Sequence, residues 1–194
     1  MMKRLRLFTV TAPLALVPAL AYAHSGDHGM AGFAAGFAHP LTGPDHLAAM
    51  LAVGLWSALA KGELKRAVWA PVVFAATLLL GALATMLGDW QALWVEPGIA
   101  VSLLCLGLLV AWRVNLSRWV GLGLTVVFAL AHGAAHGTEL LGLGSLAGMV
   151  LATAVLHSAG LAFGLLMRPT AMRWSEGLGA TLMTFGALRL AGVL

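Results

Sequence analysis

The sequence predicts an all-α membrane protein, a six-transmembrane-helix bundle with a broken first helix. Three observations predict it. Hydrophobic residues make up 61% of the 194-residue chain and charged residues only 9%, against roughly 25% charged in a soluble domain. Too few polar groups remain to cover a water-facing surface, so lipid must be the solvent. Apolar stretches of about 20 residues, the length that crosses about 30 Å of hydrocarbon, follow one another along the chain. Lys and Arg gather in alternate links between them.

The first 23 residues read as a targeting segment. Lys3, Arg4 and Arg6 form a positive start, Leu7 to Leu20 is apolar, and Ala21-Tyr22-Ala23 is a small-residue cleavage site, the pattern of a secretory signal peptide. Cleavage after Ala23 would make His24 the new amino terminus. Its α-amine and imidazole could chelate a metal together, with His28 four residues on. Residues 24–194 then form one membrane domain.

Six spans can be laid out in order: about Met30 to Ala60, Ala67 to Leu87, Ala92 to Trp112, Trp119 to Leu141, Ser145 to Met167 and Trp174 to Leu194. The first is too long for one plain helix. Its 31 residues would run about 46 Å at 1.5 Å per residue, and it contains His39-Pro-Leu-Thr-Gly-Pro44. Prolines and glycine interrupt helices, and irregular backbone at membrane depth survives only within protein or beside a wet cavity. A break near Pro40 to Pro44, facing the bundle interior, is therefore expected. Small residues four apart (Gly32 and Gly36, Gly133 and Gly137, Gly144 and Gly148, Gly160 and Gly164) fit close helix packing in lipid.

Orientation follows from the links. Lys61, Lys65 and Arg66, then Arg113 and Arg118, then Arg168 and Arg173 mark alternate links, whereas Asp89 and Glu139 mark the others. The positive-inside rule puts the basic links in the cytoplasm and both termini of the mature chain outside, in the periplasm of a bacterial inner membrane. Arg189 is the exception; it should snorkel outward or pair with Glu96 or Asp89. The seven tryptophans lie mostly near span ends as interfacial anchors. Cys105 reads as a small buried hydrophobe and Met50 as packing. The net charge of +4 lies in these links and not in a basic stripe with interleaved aromatics, which excludes a nucleic-acid partner. A homo-oligomer is compatible with all of these features.

Ionisable side chains inside a bilayer cost about 2.5–3.5 kcal/mol each on insertion scales, so their retention points to function. They fall in three groups: His39, Asp45 and His46 on the first span; His132, His136 and Glu139 on the fourth; His157 on the fifth. At 100° per residue, positions 132, 136 and 139 fall within about 60° of one another, so two imidazoles and a carboxylate share one stripe. Such donors suit nickel, cobalt, copper and zinc. Asp45 and His46 are adjacent and cannot share a helix face. Either the break turns both toward one centre, or one ligates and the other orients a ligand. With His24 and His28 above and His157 near the midplane, the donors order into a descending track. A track of moderate sites is what conduction requires. The inner half offers few ligands, and an apolar gate is expected there.

The stretches His39-Pro-Leu-Thr-Gly-Pro-Asp45-His46 and His132-Gly-Ala-Ala-His136-Gly-Thr-Glu139, with a signal peptide and six spans, resemble the HupE/UreJ family of nickel permeases. The resemblance covers essentially the whole mature chain. It implies uptake of Ni²⁺, or Co²⁺, in support of hydrogenase or urease maturation, with His39, Asp45, His46, His132, His136 and Glu139 as motif residues. It implies a transported ion and no prosthetic group. The sequence has no phosphate-binding loop of the G-x-x-x-x-G-K-[ST] type, so import down the membrane potential is the expected drive. Two competing readings use the same residues. One is an intramembrane zinc hydrolase with Ser102 or Ser158 near a His/Asp cluster. The other is a bis-histidine haem protein.

Overall fold

The computed structural model describes residues 30–60, 64–88 and 93–194. The expected leader with His24 and His28 lies outside them, as do Lys61, Asp89 and Trp90. The described chain is almost wholly helical: α1 (Phe33–Thr42), α2 (Pro44–Leu59), the single turn α3 (Leu64–Ala67), α4 (Trp69–Gly88), α5 (Val95–Ala111), α6 (Arg118–Glu139), α7 (Gly142–Met167) and α8 (Ala171–Leu190). The boundaries of α4 to α8 fall within about four residues of the expected spans, the ordinary error of reading helix ends from sequence.

The interruption between α1 and α2 is sharper than expected. Pro40 stays inside α1, and the helical path stops at one residue, Gly43, whose backbone is extended at φ −83° and ψ 109°. Pro44 explains this. Its ring pushes the preceding residue out of the helical region, and it occupies the first position of α2, where a missing N–H costs nothing. The chain stays nearly continuous across the step: the Gly43 N–H donates to the His39 carbonyl at 3.1 Å and the Gly43 carbonyl accepts from Leu47 at 2.9 Å.

A parallel pair of two-residue strands, β1 (Met30–Ala31) and β2 (Leu140–Leu141), sets Met30 beside Leu140 and Ala31 beside Leu141. Hydropathy holds no sign of it, because two residues carry no period. It ties the start of α1 to the end of α6. Gly142, at φ 84°, then turns the chain straight into α7, a conformation a side chain would resist.

Glycines set how the helices meet. α7, at 26 residues about 39 Å long, runs past both α1 and α2. A methyl group on Gly36 would strike the Ser145 carbonyl, one on Gly148 the Phe33 carbonyl, one on Gly160 the Leu51 carbonyl, and one on Gly54 the His157 carbonyl. α4 and α6 run alongside each other in the same direction, with Gly133 against Leu78 and Gly137 against Ala82 and Thr85. α5 and α8 run antiparallel, with Gly107 against Gly179 and Gly186 against Ala100. Such close approach replaces the hydrophobic drive that lipid does not supply between helices.

The distribution of polarity is inverted relative to a soluble protein. His132, His136, His157, Ser102, Ser145 and Thr153 are buried, while Leu87, Leu93, Trp119, Leu143 and Leu166 are at least 75% exposed. Three helices, α4, α6 and α7, are each long and apolar enough to cross a membrane, and α5 is a shorter apolar helix. The protein is a membrane protein. At the end of the bundle that carries the basic links, Arg168 Nε donates to the Ala58 carbonyl at 2.7 Å and closes α2, while Arg118 lies over the Trp69 and Trp119 rings. Trp56 departs from the anchor role expected of it: it is buried, and its Nε1–H donates to the Val114 carbonyl at 3.0 Å.

Candidate metal centre

Four imidazoles meet at the other end of the bundle. His39 comes from α1, His46 from the first turn of α2, and His132 and His136 from α6, one helical turn apart on the stripe that periodicity predicts. Their rings form a chain of contacts: His39 to His136 with centroids 4.9 Å apart, His136 to His46 at 4.3 Å, and His46 to His132 at 5.0 Å. His39 and His46, seven residues apart on either side of Gly43, both reach α6.

The outer end of the chain is mixed in character. His39 Nε2 lies 2.8 Å from Glu139 Oε2, and His136 Nδ1 lies 4.0 Å from the same oxygen. His39, His136 and Glu139 each offer one donor atom, all within 4.8 Å of one another. Donors bound to one ion at about 2.1 Å can be no more than about 4.2 Å apart, so a small contraction would bring two nitrogens and an oxygen onto a cation. Glu139 is about half exposed and His39 less so, and this set is therefore the reachable one. The β1–β2 pair holds its two sides in register, since Leu140 directly follows Glu139.

Deeper in, the donors are all nitrogen. His132 and His136 are fully buried, and His46 nearly so. Their orphan atoms are His46 Nε2, His132 Nδ1 and both nitrogens of His136. A buried polar atom without a partner costs about 1–3 kcal/mol, and such atoms in one place mark a binding site more readily than a packing core.

Two neighbours fix which nitrogen is free. Ser102 on α5 donates its hydroxyl hydrogen to the Ile99 carbonyl at 2.7 Å, and its oxygen lies 2.9 Å from His132 Nε2. With that hydrogen engaged, the oxygen accepts, so Nε2 carries a proton and Nδ1 holds the lone pair. Asp45 does the same for His46. Its Oδ1 lies 2.9 Å from His46 Nδ1 and accepts the His46 backbone N–H at 2.8 Å, which leaves Nε2 bare.

Asp45 has a second partner. Arg189 on α8 donates from Nη2 to Asp45 Oδ2 at 2.8 Å and to Glu96 Oε2 at 3.0 Å. Arg189 was expected to snorkel or to pair with Glu96 or Asp89; it pairs with Glu96 and with Asp45. The guanidinium and His46 thus occupy both oxygens of Asp45, and of the two roles open to this carboxylate the geometry favours orienting a ligand. The contact of Ser102 with His132 gives this serine a role other than that of a nucleophile. A serine inside an apolar span was the available signal, but which helix it faces is a tertiary fact.

His157 stands apart. It is buried, and its ring lies against the Pro71 backbone on α4. Its ring meets Phe74 edge to face at 5.1 Å, and Phe74 in turn meets His132 at 5.8 Å. Among the described residues no ring contact links it directly to the other four imidazoles.

An apolar helical bundle that buries converging imidazoles defines a membrane protein with a candidate metal centre. The chain belongs to the HupE/UreJ family: the model of the HupE / UreJ protein family matches residues 12–189. It is also 38% identical over 165 residues to Protein HupE of Rhizobium leguminosarum bv. viciae, an alignment that takes in 82% of this chain and 83% of the relative. No solved structure matches.

Proposed function

We propose that the protein is a secondary transporter that imports a divalent transition-metal ion, Ni²⁺ first and Co²⁺ second, across the bacterial inner membrane. The observation that carries this reading is the unbroken run of imidazoles from the half-exposed Glu139 to the buried His132, with its orphan nitrogens. The choice of nickel over the copper that affinity order alone favours, and service to hydrogenase or urease maturation, belong to this proposal and are suggested by the likeness to the family. In the proposed arrangement residues 1–23 are a cleaved signal, and residues 24–194 form six spans with both termini periplasmic. The first span is α1 and α2 together, broken at Gly43. α7 runs beside both halves, as a single traverse would require.

His24 and His28 recruit the ion outside. It then exchanges water for His39, His136 and Glu139, whose donor atoms all lie within 4.8 Å of one another. Contact with His46 Nε2 and His132 Nδ1 draws it inward, and His157 receives it. Asp45 keeps His46 oriented and, with Glu139, offsets the cation's charge. A divalent ion gains about 4.6 kcal/mol in crossing 100 mV, roughly a 2,000-fold accumulation at balance, so the potential alone supports import.

The hydrolase reading uses Ser102 and His132, but both are fully buried, the serine hydrogen is engaged by Ile99, and His132 Nδ1 has no carboxylate behind it. Ser158 closes on its own helix at Ala154. These observations favour a carrier over a nucleophilic enzyme.

Uptake of Ni²⁺, Co²⁺, Cu²⁺ and Zn²⁺ into vesicles, with the parent chain and with His132→Ala and Asp45→Ala, tests the proposal. Uptake in the parent and its loss in both variants are expected. If no metal moves, or if both variants match the parent, the transport reading is overturned.

A further inference from the structure

We propose that the Phe74 ring is the gate of the passage, dividing the track into an outer station of four imidazoles and an inner station at His157. This rests on the permease reading and names the part of the chain that closes it. Phe74 is fully buried, and its ring meets both the innermost outer imidazole, His132, and His157. An aromatic ring offers a borderline divalent ion no lone pair, so the Phe74 ring presents no ligand between the two imidazoles it touches. His157 is buried, with the Pro71 backbone on α4 as its polar neighbour. A buried imidazole just behind an aromatic ring can act as a ligand for an ion that passes the ring.

The placement also fits the side of the bundle on which a barrier is needed. Phe74 lies five residues into α4 from the end that carries the basic links, while the parallel neighbour α6 sets Leu78 against Gly133. The ring therefore sits about one turn below His132. Leu78, also fully buried, stands one turn above it on the same face of α4. Passage requires the Phe74 side chain to change rotamer. In the resting position the ring keeps water, and with it protons and sodium, from crossing along the imidazoles.

Radiolytic hydroxyl-radical footprinting of the full chain in proteoliposomes, which marks side chains that water reaches, tests this directly. In the parent, His157 oxidation is expected to be roughly tenfold slower than that of the partly exposed His39, as for a closed interior site. Phe74→Ala should bring His157 close to the His39 rate, raise Ni²⁺ flux and open a proton leak; Phe74→Leu should fall between. Phe74→Leu carries the test if the alanine variant does not fold, as judged by its elution and melting. Equal His157 oxidation in the parent and a folded variant would remove Phe74 as the barrier, even where the parent moves nickel. A parent that moves no metal while Phe74→Ala still uncovers His157 would sink the permease reading and leave the barrier standing.

Discussion

At the scale of single residues, the chemistry turns on which imidazole nitrogen is left free, and that choice is made by neighbours. Ser102 holds the proton of His132 on Nε2. Ser102→Ala removes this constraint, and partners of this kind are typically worth 10–100-fold in metal affinity. A loss of about tenfold is expected, measurable by calorimetric titration of Ni²⁺. Ser158→Ala, which touches only its own helix, should change nothing. Arg189 contacts one nearly buried and one exposed carboxylate, Asp45 and Glu96. Removing it strands the buried charge, so Arg189→Met should lower stability by on the order of 2 kcal/mol or more. Glu96→Gln should cost less than about 1 kcal/mol, as exposed pairs do. Unfolding of each variant in detergent checks the order. His132, His136 and Glu139 were legible in sequence because their spacing is a property of one helix. Ser102 and Phe74 were not, because nothing local says that α5 and α4 turn these side chains toward α6.

Among the elements, the joint between α1 and α2 was legible and the strand pair was not. Pro44 disfavours a helical conformation at the residue before it, and at Gly43 the chain does leave the helix, whereas His39 before Pro40 stays helical; the Gly43-Pro44 pair was the legible signal. The β1–β2 pair depends on the end of α6 arriving beside residue 30, which no local pattern encodes. The glycine spacing marked the close contacts correctly at Gly36, Gly133, Gly137, Gly148, Gly160 and Gly164, but Gly32 and Gly144 turn out to have room. This difference makes a prediction. Gly160→Ala pushes a methyl into the Leu51 carbonyl, and overpacking of this kind typically costs about 1–3 kcal/mol. Gly123→Ala meets nothing within 4 Å and should be neutral or stabilising, since alanine favours a helix over glycine. Melting temperatures of the two purified variants should therefore move in opposite directions, or only the first should move.

For the whole molecule, inverted polarity was the most legible property of all, since 61% apolar residues leave no other solvent than lipid. If the potential drives import, collapsing it with an ionophore should abolish Ni²⁺ accumulation above the external level while leaving exchange intact; net accumulation without a potential would require another energy source. The clasp of Asp45, Arg189 and Glu96 has a consequence at this scale. With Glu139, which lies against His39 and not against the guanidinium, that end of the bundle holds three carboxylates and one arginine, so the described groups at that rim carry an anionic surplus even after pairing. Such a rim acts at range, concentrating dilute cations before any nitrogen touches them. Its reach is set by the Debye length, about 30 Å at 0.01 M salt and about 8 Å at 0.15 M. Capture of scarce nickel should therefore weaken as inert salt is added, while the turnover of a saturated carrier stays unchanged.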